Sequence, residues 1–527
     1  MALLNAERFA TELAVLDSDT HLTFADVGEQ MIATAKALTA GGVEPGDRVA
    51  LWAPNSATWI TTALGILATG ARLVPLNTRF KGGEAAYILN RSKARSLLCA
   101  NGFLGYDYLE MLHEADPSLR TRLDGVILQG AVGDGVAWDE FLARGDGVEE
   151  GRVRARIEAI RPEDGSDVLF TSGTTGHPKG VMLRHGASLR CYEIYNRTYG
   201  LGRGDRILIV TPFFHCFGYK AGWMLALMAG ATSVPLAAFD AARALSMIED
   251  LHITHTGGSP TMFWALLDHP SRAERDLSSL RIATASAAYV PAELLERMAN
   301  EMGVHAITGY GLTEAHAFVS VSQPDDPPGL VAEWSGKVVE DTEARIVDDQ
   351  GSEVELGQRG ELLVRGFQIM DGYYDDPEAT AAAIDPEGWL RTGDVAYMNA
   401  EGYVKVCDRK KDMFIVGGFN VAPAEVEGLL TKWSRIAACA VIGVPDPQWG
   451  EVGVAFVVPA DEALTPDDVI AWAREHMANY KVPRRVIPVA ALPLNTTGKV
   501  LKDELRAALA QQGEIDLSED PRLDALS

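Results

Sequence analysis

The stretch Val168-Leu-Phe-Thr-Ser-Gly-Thr-Thr-Gly-His-Pro-Lys-Gly-Val-Met-Leu183 constrains this chain more than any other. Its apolar start, 168–170, reads as a buried strand, and the acidic, turn-prone segment 162–167 precedes it. Four hydroxyl residues (Thr171, Ser172, Thr174, Thr175) then mix with Gly173, Gly176, Gly180 and Lys179. Glycine lets the backbone turn tightly and approach a ligand closely. Exposed amides and hydroxyls suit phosphate oxygens, and Lys179 adds a point charge. Composition alone would also describe a flexible turn between two strands; the order of the residues argues against that. Nor is this the G-x-x-x-x-G-K-[ST] phosphate loop, which occurs nowhere in the chain. Gly498-Lys499 comes nearest, with Pro493 in place of the first glycine and Val500 in place of the hydroxyl.

A chain of 527 residues is long for one core, so two or more domains are expected. Its 47% hydrophobic and 23% charged residues are those of an ordinary globular protein. The formal net charge of −26 argues against a general binder of nucleic acid or anionic membrane, while allowing a local basic patch. The five cysteines (Cys99, Cys191, Cys216, Cys407, Cys439) form no C-x-x-C pair and read as reduced thiols. The opening residues have no basic segment and no sustained apolar core, so no signal peptide is expected. The apolar runs 60–67 and 223–231 fall far short of the roughly 20 residues that span a bilayer. No integral membrane segment and a cytoplasmic location are therefore expected.

Thr23-Phe-Ala-Asp26 looks like a helix start, with apolar spacing through Val27, Met31, Ala35 and Leu38. Strands are expected over 48–52, 71–76, 96–100 and 124–129, with a helix over 56–69, and strands 206–210 and 233–236 continue the alternation. That rhythm indicates an α/β domain with largely parallel sheets. After about residue 340, short strands over 342–347 and 360–365 suggest a small β-rich subdomain closing the first large unit. A strand over 403–407 leads into the charged run 408–412, where the linker is placed. Beyond it, strands 437–444, 453–458 and 485–489 with helix 466–477 make a small α/β domain. The expected division is 1–408, a hinge at 409–411, and a mobile C-terminal domain at 412–527.

Five further words carry candidate chemistry. In Tyr310-Gly-Leu-Thr-Glu314, an acid beside a hydroxyl at a strand end can hold a divalent cation and a phosphate. In Trp389-Leu-Arg-Thr-Gly-Asp394, a carboxylate after a glycine turn can accept two neighbouring hydroxyl donors. In Gly417-Gly-Phe-Asn-Val-Ala-Pro-Ala-Glu425, glycines permit close approach to a thin ligand before a Pro-started helix. In Leu494-Asn-Thr-Thr-Gly-Lys499, a mobile cation could sit between two anions. Pro212-Phe-Phe-His-Cys-Phe-Gly-Tyr-Lys-Ala-Gly222 sets His215 among aromatics. Each word taken alone is also compatible with a turn, a cap, a surface charge or a core histidine.

Taken in order, they resemble the adenylate-forming superfamily of acyl-CoA synthetases, luciferases and peptide-synthetase adenylation domains. Residues 171–180 fit [ST]-S-G-[ST]-T-G-x-P-K-G at every specified position, and the resemblance runs from about 24 to 505. It implies ATP and CoA as co-substrates and Mg²⁺ as cofactor. The loop Thr171, Ser172, Gly173, Thr174, Thr175, Gly176 and Lys179 would grip ATP phosphates. Thr313 would touch phosphate, with Glu314 and Thr175 on the metal, and Tyr310, with Gly309 and Gly311 beside it, against adenine. Ser286, Ala287 and Ala288 replace the usual Gly-Ala-Pro-like adenine turn, a looser match. Asp394 and Arg409 would hold ribose, Lys411 would be the hinge, and Lys499 would bridge the carboxylate and the α-phosphate. Gly417, Gly418 and Phe419 would line the pantetheine tunnel. His215, Tyr219, Trp223, Gly257, Gly309 and Gly311 would form the acyl pocket, with His215 positioning the acid without acting as a base.

The implied reaction is carboxylate plus ATP to acyl-AMP, then CoA to acyl-CoA. The acid expected first is a medium- or long-chain fatty acid. A ring-bearing propionate of steroid degradation or an aryl acid is the alternative, since Val74-Pro-Leu-Asn-Thr-Arg79 and the His215 word are similar to those of such ligases too. A stand-alone enzyme loading a carrier protein, a luciferase-like oxidase and a silent nucleotide sensor remain open. The expected partners are small molecules, with a homodimer allowed.

Overall fold

Thr23 starts the helix Phe24–Ala40 with a reciprocal cap: its hydroxyl accepts from the Asp26 amide, and its own amide donates to the Asp26 carboxylate at 2.8 Å. The apolar run 60–67 lies in the helix Ala57–Ala68, capped by Ser56, in which all residues but Thr58 and Leu67 are buried. A helix apolar on every side belongs inside a layered fold. Gly65 allows the close approach of these two helices, since a Cβ there would stand 2.4 Å from Thr34 Cβ.

The computed structural model describes residues 1–18, 20–171, 178–288, 290–409, 412–416, 419–446, 449–461, 463–495 and 498–511, with 408, 409, 419, 420, 510 and 511 as backbone only. The chain divides into two compact units: Met1–Ala344 with Leu363–Arg391 and Glu401–Tyr403, and Arg345–Leu362 with Thr392–Ala400 and the chain from Val404.

The first unit holds two large, mostly parallel sheets. One runs Gly372–Tyr373, Lys179–Arg184, Gly165–Thr171, Arg72–Pro75, Arg48–Trp52, Ser96–Ala100, Asp124–Gln129, Val136–Ala137. The other passes through His305–Tyr310, Ile282–Ala285, His255–Gly258, Arg206–Ile209 and Thr232–Pro235 as successive parallel neighbours. One core gathers Val49, Leu51 and Leu73 of the first sheet, Ile207, Ile209 and Ile307 of the second, and the helices Phe24–Ala40, Ala57–Ala68 and His185–Tyr199. Helices Ala241–Asp250, Pro260–Leu267 and Ala292–Met302 cover the other face of the second sheet, and Gly82–Ser92 with Tyr108–Ala115 that of the first. Apolar faces on both sides are what parallel sheets require.

In the second unit Gly450–Pro459 pairs with Ile436–Asp446, Phe414–Val416 and Arg485–Pro488. Helix Lys502–Gln511 is tied to its neighbours by Lys502–Glu427 at 2.9 Å and Arg506–Asp412 at 2.9 Å. The strand Val404–Arg409 runs into the charged segment read as a linker, because Arg409 pairs in register with Asp394. No helix of the described residues is long and apolar enough to cross a membrane.

Candidate active site

The stretch 168–183 lies on an antiparallel strand pair, Gly165–Thr171 against Lys179–Arg184, with Thr171 opposite Lys179. Ser172, Gly173, Thr174, Thr175 and Gly176 lie outside the described residues. Lys179 Nζ stands 5.0 Å above the ring of Tyr373, whose hydroxyl donates to Glu314 Oε1 at 3.0 Å. Tyr373 is itself fixed in the sheet opposite Val181. Lys179 and Glu314 therefore share a neighbour that the sequence reading missed; its only mark was the aromatic pair after Gly372. Among the described residues no group of three or more His, Cys, Asp or Glu could hold a metal. Magnesium needs only one or two carboxylates when phosphates supply other oxygens, so Glu314 fits that ion together with a triphosphate. Removing the Tyr373 hydroxyl (Tyr373→Phe) is expected to raise the Mg²⁺ concentration for half-maximal pyrophosphate release about tenfold, as for groups that orient a metal ligand.

Glu314 sits in the short turn Thr313–Ala315, followed by His316 and Ala317 at φ +54° and +63°. The buried His316 ring pins this turn. Its Nε2 accepts from the Arg184 amide at 3.2 Å, so its Nδ1 carries the proton donated to Gln368 O at 2.6 Å. The Glu314 carbonyl also accepts from the Met370 amide at 2.9 Å.

Three parallel strands end side by side at Gly257–Gly258, Ser286 and Gly309–Tyr310. Crevices outside such C-terminal strand ends are where open α/β sheets bind ligands. Ser286 Oγ donates to Gly309 O at 2.7 Å, fastening two of the ends, and Ala287 (φ +71°) and Ala288 are exposed beyond it. Gly311 admits no side chain, since a Cβ would meet Ala317 O at 2.2 Å. His215 starts a helical turn, its Nδ1 accepting from the Phe217 amide at 3.2 Å. Phe217 lies over Gly257, with Cζ 3.1 Å from where a Cβ would be. Tyr219 and Trp223 are buried core rings, stacked at 4.9 Å and both edge-on to Trp59.

After His215 the chain forms a π-helix over Tyr219–Met224 that runs into the α-helix Leu225–Ala229. Gly222 packs on Ile209 there, and Lys220 turns inward. Fully buried, its ammonium donates to Asp167 Oδ2 at 2.6 Å and Ser188 Oγ at 2.7 Å, while Ser166 Oγ donates to the same carboxylate oxygen. Burial pushes the Asp167 carboxyl up, but the Lys220 charge and the hydrogen bonds outweigh it and hold it below the usual range. This pair joins the strand Gly165–Thr171 to the π-helix that follows His215.

Behind Gly257 lies a second polar group that the sequence reading missed. Tyr195 OH and Thr284 Oγ1 are 2.8 Å apart and buried, and the Tyr195 ring meets His255 edge-on at 6.0 Å. Burial lowers the His255 pKa from 6.5 to about 4, so the ring is neutral when folded. On unfolding at mildly acidic pH it takes up a proton. The contribution of His255 to stability is therefore full above pH 6.5 and is lost as pH drops towards 4. His255→Gln is expected to flatten that slope in denaturant unfolding followed between these pH values.

In the second unit Asp394 is buried opposite Arg409 in the pairing of Leu390–Met398 with Val404–Arg409, and Gly393 beside it has φ +68°. Lys411, Gly417 and Gly418 lie outside the described residues, as do the side chains of Arg409 and Phe419. Lys499 is exposed on a tight loop closed by the 494–500 bridge, with its amide donating to Asn495 Oδ1 at 2.8 Å and Gly498 at φ +79°.

Residues 4–374 match the AMP-binding enzyme family, and residues 425–499 match the AMP-binding enzyme C-terminal domain. The chain is 45% identical to a 3-[(3aS,4S,7aS)-7a-methyl-1,5-dioxo-octahydro-1H-inden-4-yl]propanoyl:CoA ligase of Rhodococcus jostii (strain RHA1), over 95% of this chain and 96% of that one. A ligase of the same name from Mycobacterium tuberculosis is 46% identical over 94% and 95% of the two chains. Among solved structures, the anthranilate CoA ligase AuaEII in complex with anthranoyl-AMP superposes with TM-score 0.84 at 29% identity, over 97% of this chain and 98% of that one. The ordered motifs, the α/β architecture and these matches agree: the chain belongs to the AMP-binding enzyme family and is an acid–thiol ligase of the AMP-forming, adenylate-forming class.

Proposed function

We propose that this ligase joins a ring-bearing propanoate to CoA through an acyl-adenylate, with ATP converted to AMP and pyrophosphate. The observation that carries the choice of acid is the 45–46% identity to two ligases named for a bicyclic dioxo-propanoate, over nearly the whole chain. This puts the ring acid ahead of the fatty acid expected from the sequence, which becomes the second reading.

In this reading the Thr171/Lys179 hairpin holds the β- and γ-phosphates, Glu314 carries the metal, and Asp394 with Arg409 holds ribose. A bound Mg²⁺ would offset phosphate charge. Lys499 supplies the cation between carboxylate and α-phosphate, two anions that otherwise repel. A carboxylate is a poor electrophile, whereas the mixed anhydride has a good leaving group. Positioning and charge neutralisation then account for most of the rate. After adenylation the C-terminal segment turns about Lys411, withdrawing Lys499 and bringing Gly417, Gly418 and Phe419 to the thiol's path.

The test is pyrophosphate release across bicyclic propanoates, medium- and long-chain fatty acids and aryl acids, each with and without CoA. The reading expects the highest kcat/KM for the ring-bearing propanoates and acyl-CoA as product. A higher kcat/KM for fatty acids would transfer the assignment to the second reading. Acyl transfer only to a carrier protein would remove CoA from it.

A further inference from the structure

The acyl-pocket word at His215 leads to Phe217, and Phe217 leads to Gly257. Residues two apart on a strand share a face and lie about 7 Å apart, so His255 stands on the face of Gly257, one step deeper. Thr284 pairs in register with Gly257, and its Cβ lies 3.7 Å from where a Gly257 Cβ would be. From the facing helix His185–Tyr199, Tyr195 brings its hydroxyl to within 2.8 Å of Thr284 Oγ1. The polar groups of His255, Thr284 and Tyr195 thus lie next to Gly257, with Phe217 packed on Gly257 and with Tyr199 and Phe318 packed on Tyr195.

The hydrogen-bond inventory of this group is incomplete. Two hydroxyls carry two protons, and their mutual bond uses one, so the Tyr195–Thr284 pair keeps one O–H to give. His255 is 3% exposed, and its Nδ1 has no hydrogen-bond partner. A buried polar atom without a partner costs about 1–3 kcal/mol, so such a cluster is retained at a cost in stability. A plain fatty chain would offer these groups nothing. A carbonyl oxygen, with two lone pairs and no proton, accepts the O–H that the Tyr195–Thr284 pair keeps, and an N–H from His255 when Nδ1 carries the ring proton.

We propose that Tyr195, Thr284 and His255 form a specificity subsite that receives a ring carbonyl oxygen at the distal end of the acyl acid. This rests on the acyl-CoA ligase reading above and sharpens its substrate class from ring-bearing to oxo-substituted ring. Sites built to hydrogen-bond a substrate oxygen reject the analogue lacking it far more strongly than apolar pockets reject a size change, because the buried partners are then left unsatisfied. The selection falls on the acid and leaves the ATP chemistry untouched.

The experiment compares 3-(4-oxocyclohexyl)propanoate with 3-cyclohexylpropanoate, and a bicyclic dioxo-propanoate with its fully deoxygenated analogue, by pyrophosphate release with CoA present. The wild-type protein is expected to favour the oxo acid by about 100-fold or more in kcat/KM. Thr284→Val and Tyr195→Phe should each cut that ratio at least tenfold, by lowering kcat/KM for the oxo acid towards that of its deoxygenated partner. Equal kcat/KM for both members of each pair in the wild-type protein would overturn the subsite while leaving the ligase assignment standing. Absence of acid-dependent pyrophosphate release with every acid would instead overturn the ligase reading on which it rests. The wild-type comparison needs no variant, so a folding defect in either substitution does not blunt it. A preference that survives in a folded double variant would also overturn the assignment of these residues.

Discussion

Lys499→Ala is expected to lower acyl-AMP formation about 10²–10³-fold, the size seen when one preorganised charge-stabilising group is removed from a transition state. The effect should be confined to the first half-reaction. Acyl-AMP supplied directly should still react with CoA at close to the wild-type rate, because by then the anhydride is formed and the lysine has no anion pair to bridge. The side chain is exposed on a loop closed by the 494–500 bridge, so its removal opens no cavity in the core. Little change in melting temperature is therefore expected. Single-turnover assays of the two half-reactions separate the cases, and equal loss in both would count against this role for Lys499.

Lys220→Met should act on stability instead. It leaves Asp167, fully buried, without its cation, and breaking one side of a buried pair costs about 3–5 kcal/mol. In a unit of this size that corresponds to a fall of about 4–6 °C in the first thermal transition. Asp167→Leu combined with Lys220→Met should recover much of the loss, since replacing both charges by packed apolar groups is often neutral. The pair also sets a pH dependence. With its carboxyl held below the usual range, Asp167 stabilises the fold above the ordinary carboxylate pKa, near 4, and progressively less as pH falls below it. If Lys220→Met melts with the wild type, the two charges are not the strut between the strand Gly165–Thr171 and the π-helix.

What the sequence revealed and what it hid divide along contiguity. The words at 171–180, 310–314 and 494–499 can be picked out because each is a short run of fixed order, and the Thr23–Asp26 cap and the strand Arg48–Trp52 are legible for the same local reason. Asp167–Lys220, Glu314–Tyr373 and Tyr195–Thr284 are separated by 53, 59 and 89 residues, and no local pattern couples them. Lys220 was further hidden by expectation, since lysine is almost never fully buried unless paired. The π-helix over Tyr219–Met224 escaped because its apolar spacing is also that of an ordinary helix. Arg409 extended a strand into a charged run because the register with Asp394 outweighs the run's composition.

The central claim is that the acid is activated as an acyl-adenylate. Turnover of acid labelled with ¹⁸O in its carboxylate, with ATP and CoA, tests it by mass spectrometry of the products. Attack of the carboxylate on the α-phosphate, followed by thiol attack at the carbonyl, leaves one labelled oxygen on AMP and none in pyrophosphate. Label in inorganic phosphate with release of ADP, or unlabelled AMP, would contradict the account.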